Sequence, residues 1–464
     1  MYKLEDILAG TGGTPAPDYP GSGALVLRDV AIDSRKAVPG SLFVALPGSA
    51  ADGHQFIADA IGHGAIAVLA RSDWQPAAPL GPDIAVVRVP DTLKGLQSLA
   101  TWWRSRFPNL KVIGITGSIG KTSTKEYTAA VLATHFRVFR SEGNYNSETG
   151  LPLSVLGLCP EHEVAVFEMG GGAYMGELSH LASIAQPQVG VITNVSHSHL
   201  ASMGTLENLA VHKAELVRAL PESGVAVLNY DDERVRAMAA QTQARVLTYG
   251  LDPASYIWAD EIESEGIGGL QCTLHHGSEA LHLRLPLLGL HSVHTALRAA
   301  AACEAVGMNW KDIIIGLQTG EAQQLRLLVV QGINDLTIID DSYNANPAST
   351  LAALNLLLEM PKPHVAVLGD MLELGEYEEE GHIKVARRAI EVADQLVAVG
   401  NLGRLIGEEA LRCGMAPDHV FFALTNDQAI DYLRRQAVPG SFVLIKGSHG
   451  MRMEEIVEGL RAPT

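Results

Sequence analysis

Short apolar runs recur along the chain, and their spacing divides it into three stretches. In the first, runs at 24–27, 41–46 and 84–89 stand among turn residues and short helical segments, which predicts a small α/β domain over residues 1–109. From Lys111 the pattern becomes strand, glycine turn and amphipathic helix, followed by apolar strands at 164–167, 189–193, 225–228 and 245–249. Unbroken apolar strands alternating with helices predict a parallel sheet covered on both faces, a central domain over 110–322. After a polar stretch at 318–324 the alternation restarts, with strands expected at 336–339, 365–368, 396–399, 421–422 and 442–445. That spacing fits a Rossmann-like domain over 323–464. The expected fold class is therefore α/β, in three domains.

Composition agrees with an enzyme of this kind. The 464 residues are 47% hydrophobic and 19% charged, with 46 glycines, so each domain can bury its own core and many strand-to-helix turns are available. No apolar run reaches the ~18 residues of a membrane span, and the N-terminus lacks the basic and apolar regions of a signal peptide. A cytoplasmic protein without membrane insertion is expected. Cys159, Cys272, Cys303 and Cys413 are far apart and read as reduced core residues. A net charge of −18 argues against binding to nucleic acid or anionic membranes. A polyanionic substrate would need locally concentrated basic groups.

An anion-binding segment is legible between Gly114 and Thr124. The strand at 112–115 runs through Thr116-Gly117-Ser118-Ile119-Gly120-Lys121-Thr122-Ser123 into a helix, the layout of a nucleotide phosphate cradle. Backbone N–H groups point at the anion, Lys121 adds charge, and the Thr122 hydroxyl is placed to reach magnesium. Ile115 stands where the longer form of the motif has its first glycine, leaving T-G-x-x-G-K-T. Nucleoside triphosphate binding is expected. A guanine-reading N-K-x-D is absent, which argues against a GTP switch.

Further chemistry is expected where strands of the central sheet end. Glu168 stands there, able to hold magnesium or merely to be an acidic turn residue. The loop Asn194-Val195-Ser196-His197-Ser198-His199 follows another strand, but without matched cysteines or further histidines a zinc site is not expected. Lys213, early in a helix, reads on its own as a solvated surface lysine.

Together these segments resemble the Mur ligases. The cradle, Asn144-Tyr145-Asn146-Ser147-Glu148-Thr149-Gly150, Glu168-Met169-Gly170, Asn194 to His199, and Lys213-Ala214-Glu215 occur in that family's order. Asp33-Ser34-Arg35 and Asp52-Gly53-His54-Gln55-Phe56 resemble its UDP-binding domain. Asp340-Asp341-Ser342-Tyr343-Asn344-Ala345-Asn346-Pro347 and Gly369-Asp370-Met371-Leu372-Glu373-Leu374-Gly375 are similar to motifs of members that add D-alanyl-D-alanine to UDP-N-acetylmuramoyl-tripeptide. The resemblance implies an ATP-dependent amide-forming ligase of peptidoglycan precursor synthesis. Its domains would take the UDP-sugar peptide, ATP and the incoming dipeptide, with hinges near Asn109 and Gln323. A related ligase adding a different amino acid would share only the central motifs. A monomer is expected.

Carried over by residue, the resemblance implies that Lys121 and the cradle amides hold ATP, and that Thr122, Glu168 and His199 hold two magnesium ions. Lys213 would be a carbamoylated lysine that helps hold the second. Asn144 and Asn146 would lie near the reacting phosphate. Arg326, Asp341, Tyr343 and Asn344 would face the nucleotide from the third domain, and Ser34 and Arg35 the uridine diphosphate. Three departures stand out. Thr295 occupies the place of an adenine-contacting asparagine, Ser196 and His197 replace small residues, and Leu325 precedes Arg326 where glycine is common.

Overall fold

The computed structural model describes residues 1–16, 25–48, 51–81, 83–143, 145–196, 203–320 and 327–462. They form two compact units. The first comprises Met1–Gly114, Phe136–Gly171 and Gly176–Gln188, and the second Ile115–His135, Gly172–Met175 and Val189–Thr464.

In the first unit, strands β1 (Thr14–Pro15), β2 (Asp29–Ala31), β3 (Ser41–Val44), β4 (Ala65–Arg71) and β5 (Ala85–Val89) build one sheet. Its order is β1-β5-β4-β3-β2, parallel except for β1 at the edge. Leu42, Phe43 and Val44 are all buried, as expected of a strand covered on both faces. Strand β6 (Lys111–Thr116) runs through the division between the units, and the first also holds β7 (Val138–Arg140) and β8 (Val164–Glu168), paired in parallel.

The second unit continues with β9 (Val189–Ile192), β10 (Val225–Asn229), β11 (Arg245–Gly250), β12 (Ile257–Ser264), β13 (Leu270–His276) and β14 (Glu279–Leu285). From β6 the order is β6-β9-β10-β11-β12-β13-β14. The parallel pairing expected from the apolar strands holds through β11 and β12, after which β13 and β14 are antiparallel. This extension does not carry the unbroken apolar signal of the other strands. Leu270, Cys272 and Leu274 alternate with more exposed neighbours, and Gly277 (φ +59°) turns the hairpin.

The last sheet comprises β15 (Leu328–Gln331), β16 (Thr337–Asp340), β17 (His364–Leu368), β18 (Gln395–Val399), β19 (Val420–Ala423) and β20 (Phe442–Lys446). Its order is β15-β16-β20-β17-β18-β19, parallel except for β15. The late strand β20 inserts between β16 and β17, so the carboxyl ends of three strands meet at a change of winding direction. Ligands of open α/β sheets bind at such places.

All four cysteines are free, but only two are core residues. Cys272 and Cys303 are buried, Cys159 is half-buried, and Cys413 is exposed, contrary to expectation. Cys413 lies just past the end of the amphipathic helix Gly400–Arg412, whose solvent face continues through it. Among the described residues no helix is long and apolar enough to cross a membrane.

Candidate active site

The cradle is built on two glycines that no other residue could replace without strain. Gly117 has φ +139°, and a β-carbon there would lie 1.9 Å from Thr193 Oγ1. Gly120 has φ +81°. Between them, the loop is fastened to the chain that leaves β9. Ser118 N–H donates to the Asn194 carbonyl and Ile119 N–H to Asn194 Oδ1, both at 3.0 Å, while Asn194 Nδ2 donates back to the Ile119 carbonyl at 3.2 Å. Ser118 Oγ donates to the Ser196 carbonyl (3.0 Å) and accepts from the Ser196 N–H (2.9 Å). Asn194 and Ser196 thus hold the loop's shape.

Lys121 opens the helix Lys121–Ala133 and arches back, donating to the Gly117 and Ser118 carbonyls at 2.9 and 3.2 Å. Thr122 is buried on the first turn. The Lys121 ammonium and the first-turn N–H groups of this helix thus form a candidate anion site, while the Ser118 and Ile119 N–H groups are spent on Asn194. Replacing Gly117 with alanine is expected to abolish ADP binding in a calorimetric titration. It should also lower stability by about 1–3 kcal/mol, because strain adds to the clash with Thr193.

A cavity of about 480 Å³ adjoins the cradle, its wall including Ser123, Asn194, Asn229, Thr295, Asp341 and Lys446. Asp341 follows β16 and Lys446 ends β20, so the last sheet contributes directly to this wall. The buried Lys446 Nζ donates to Asp341 Oδ2 and to the Asn344 carbonyl (2.8 Å), tying the Asp341–Asn344 loop down. The Tyr343 ring lies 5.3 Å from that of His449. Asp341, Tyr343 and Asn344 are legible in the sequence as site residues, whereas Lys446 is not. Its signal is a lysine at the carboxyl end of an apolar strand, directly before Gly447 and Ser448.

Lys213 is not a surface residue. It lies on the helix Leu206–Arg218 with 0% exposure, beside the equally buried His212, whose Nδ1 is 3.3 Å from Glu215 Oε1. The helix starts where Thr205 Oγ1 accepts the Asn208 N–H.

In the first unit, Glu168 ends β8 with its carboxylate buried, and Oε1 accepts from Asn146 Nδ2 at 2.7 Å. The Gly170 N–H donates to the Asn146 carbonyl at 2.8 Å, so the glycine after the strand positions the amide that orients the acid. Ser34 is buried in the turn Ser34–Lys36, capped by Asp33. Arg35 is exposed and grips Asp33 through Nε and Nη2 at 2.9 and 2.7 Å, which holds the Asp33 carboxyl down at about 2. His54 is buried between Asp52 (2.6 Å) and the Arg71 N–H (3.0 Å), so its part is to hold the turn.

Asn144, His197, His199, Gln323, Leu325 and Arg326 lie outside the described residues. Among the described residues, no group of three or more histidine, cysteine or carboxylate side chains converges as a metal cluster.

Three family profiles match the chain in succession. "Mur ligase family, catalytic domain" covers residues 27–101, "Mur ligase middle domain" 115–303 and "Mur ligase, glutamate ligase domain" 325–449. A Bacillus subtilis (strain 168) protein named UDP-N-acetylmuramoyl-tripeptide–D-alanyl-D-alanine ligase is 37% identical over 466 residues, covering 99% of this chain and 98% of its own. The chain belongs to the Mur ligase family. A solved Mur ligase structure, MurF from Acinetobacter baumannii, superposes with a TM-score of 0.86 at 29% identity, covering 98% of both chains. MurF from Thermotoga maritima, solved in complex with ADP, superposes with a TM-score of 0.78 at 27% identity over 94% of this chain and 97% of its own. Against that Mur ligase frame, the three sheets described above are the three α/β domains expected from the apolar pattern.

Proposed function

We propose that this Mur ligase uses ATP to join D-alanyl-D-alanine to UDP-N-acetylmuramoyl-tripeptide in peptidoglycan precursor synthesis. The observation that carries the reading is the phosphate cradle, which opens into a cavity walled by both the middle and the last sheet. The near-full-length likeness to ligases bearing that activity supports the choice of substrates. On this reading the domains would divide at 109/110 and 322/323, with the UDP-sugar peptide, ATP and the dipeptide taken by successive domains.

A carboxylate does not react with an amine unaided, because its oxygen is a poor leaving group. A terminal carboxylate oxygen of the tripeptide attacks the γ-phosphorus of ATP and the bond to the β-phosphate oxygen breaks, giving an acyl phosphate and ADP. The dipeptide amine then attacks the acyl carbon through a tetrahedral intermediate. The carbon–oxygen bond to phosphate breaks, the nitrogen loses a proton, and inorganic phosphate leaves. Lys121 and the cradle amides hold the phosphates and stabilise charge on the transferring group.

The Thr122 hydroxyl and the Glu168 carboxylate are hard oxygen donors of the kind magnesium takes, and the Asn146 amide orients the latter. Bound magnesium supplies positive charge that offsets the transferring phosphoryl group. Lys213 would serve magnesium as a carbamate and not as an ammonium, which would repel the ion. Its complete burial favours the neutral amine that carbon dioxide modifies. By the family resemblance, His199 would help hold a second magnesium, Asn144 and Asn146 would serve the reacting phosphate, and Arg326, Asp341, Tyr343 and Asn344 would contact the nucleotide. Ser34 and Arg35 take the uridine diphosphate.

The amine is the part of the reading most open to test. With UDP-N-acetylmuramoyl-tripeptide and ATP, phosphate release is expected to be fastest with D-alanyl-D-alanine, compared at equal concentration with D-alanine, L-lysine and diaminopimelate. A single amino acid that outpaces the dipeptide would assign the chain to another Mur-type reaction.

A further inference from the structure

Arg298 lies on the helix Val293–Ala305, one turn after Thr295, and borders the cavity beside the cradle. Its side chain is buried, at 4% exposure, and among the described residues is engaged only by neutral groups, the Thr295 hydroxyl and the Tyr249 phenol. Nη2 donates to Thr295 Oγ1 at 2.9 Å, and Nε is buried with no hydrogen-bond partner. A guanidinium carries five N–H donors, so most of its capacity is unspent. The Tyr249 ring centroid is 6.0 Å from Cζ, at the edge of cation–π range. Tyr249 brings no negative charge, because burial pushes its phenol pKa up and its hydroxyl donates to the Ile192 and Thr193 carbonyls.

No carboxylate among the described residues pairs with Arg298. The acids of this region are committed elsewhere. Asp341 takes Lys446, Asp231 takes His294 Nε2 at 2.9 Å, and Asp232 accepts the Val195 N–H at 2.8 Å while capping the helix Glu233–Arg236. Buried charges are otherwise paired, because desolvation without a counter-charge is costly. The guanidinium also sits against the cradle itself: a β-carbon on Gly120 would lie 3.0 Å from Nη2 and 3.5 Å from Cζ.

We infer that Arg298 is a further nucleotide-binding cation of the cradle, whose counter-charge is the polyphosphate of the bound nucleotide. Thr295 Oγ1 fixes Nη2 and orients the guanidinium, whose charge lies against Gly120 of the cradle. The inference rests on the nucleotide-site reading above, and ADP binding by the parent protein tests that reading separately.

ADP dissociation constants are measured by calorimetry for the full-length parent, Arg298→Gln and Arg298→Lys, with melting temperatures of each in the absence of nucleotide. Glutamine is expected to weaken ADP binding about tenfold or more, in line with loss of a buried charge-assisted contact. Its nucleotide-free melting temperature should equal or exceed that of the parent, since an unpaired buried charge has been removed. Lysine, a point charge without the planar fork, should recover much of the affinity. Glutamine binding ADP within about threefold of the parent, or lysine no better than glutamine, overturns the inference. Weakened ADP binding accompanied by a lowered nucleotide-free melting temperature in both variants also overturns it, in favour of a structural role. If the parent itself fails to bind ADP, the nucleotide-site reading fails instead.

Discussion

Replacing Lys121 with alanine is expected to lower ligase turnover by about 10²-fold or more while leaving the fold intact. The lysine is the cation nearest the loop, bridging two cradle carbonyls at 2.9 and 3.2 Å. From there its ammonium needs only a small swing to reach a phosphate oxygen. A single preorganised donor to developing charge is worth about 3 kcal/mol of barrier. The loop itself should persist, because losing the two lysine bonds to its carbonyls leaves the Gly117 turn and the bonds to Asn194 and Ser196 in place. Circular dichroism and melting temperature should therefore match the parent. Turnover within threefold of the parent would show that the cradle is not catalytic.

Lys213 carries the second large effect. A surface lysine changed to alanine would cost under about 0.5 kcal/mol and leave activity alone. A fully buried one, on a helix whose neighbours His212 and Glu215 are themselves buried, is another matter. Lys213→Ala is expected to be nearly inactive and to lose about 2 kcal/mol or more of stability to the cavity left behind. That cavity gives the diagnostic. If Lys213 is a carbamate as proposed, a short carboxylic acid can enter the cavity and stand in for it, so acetate or formate should restore part of the activity. The parent should gain nothing from either. A fully active Lys213→Ala protein would exclude the carbamate. Inactivity that no small acid relieves, in a variant that still binds ADP, would assign the loss to packing.

These residues also show what a single sequence discloses. The cradle is legible because its requirements are local: two turns that need positive φ, a lysine and a hydroxyl in one continuous segment. Glu168 and Asp341 are legible because apolar strands announce where they end, and polar residues at carboxyl ends mark ligand sites. The burial of Lys213 is not legible, since it depends on which way a helix of mixed polarity is turned. Lys446 is hidden for a different reason. Its partners Asp341 and Asn344 lie far away in the chain, and only the insertion of β20 between β16 and β17 brings them together. Arg298 combines both obstacles, being a charged residue in an alanine-rich helix whose lack of an acidic partner among the described residues is a fact of three-dimensional packing.

The Asp52–His54 segment shows the opposite case. As sequence it reads as part of a substrate domain, whereas the imidazole is spent on Asp52 and the Arg71 N–H. A residue can thus belong to a recognisable motif while its physical work is to hold a turn.

The central claim is that the tripeptide carboxylate is phosphorylated before the amide forms, and oxygen transfer tests it most directly. UDP-N-acetylmuramoyl-tripeptide labelled with oxygen-18 in its terminal carboxylate is incubated with the protein, ATP and D-alanyl-D-alanine, and the released phosphate is examined by mass spectrometry. An acyl phosphate requires one labelled oxygen in each phosphate formed, because the bridging oxygen departs with phosphorus when the amine attacks carbon. Amide formation accompanied by unlabelled phosphate would contradict the account.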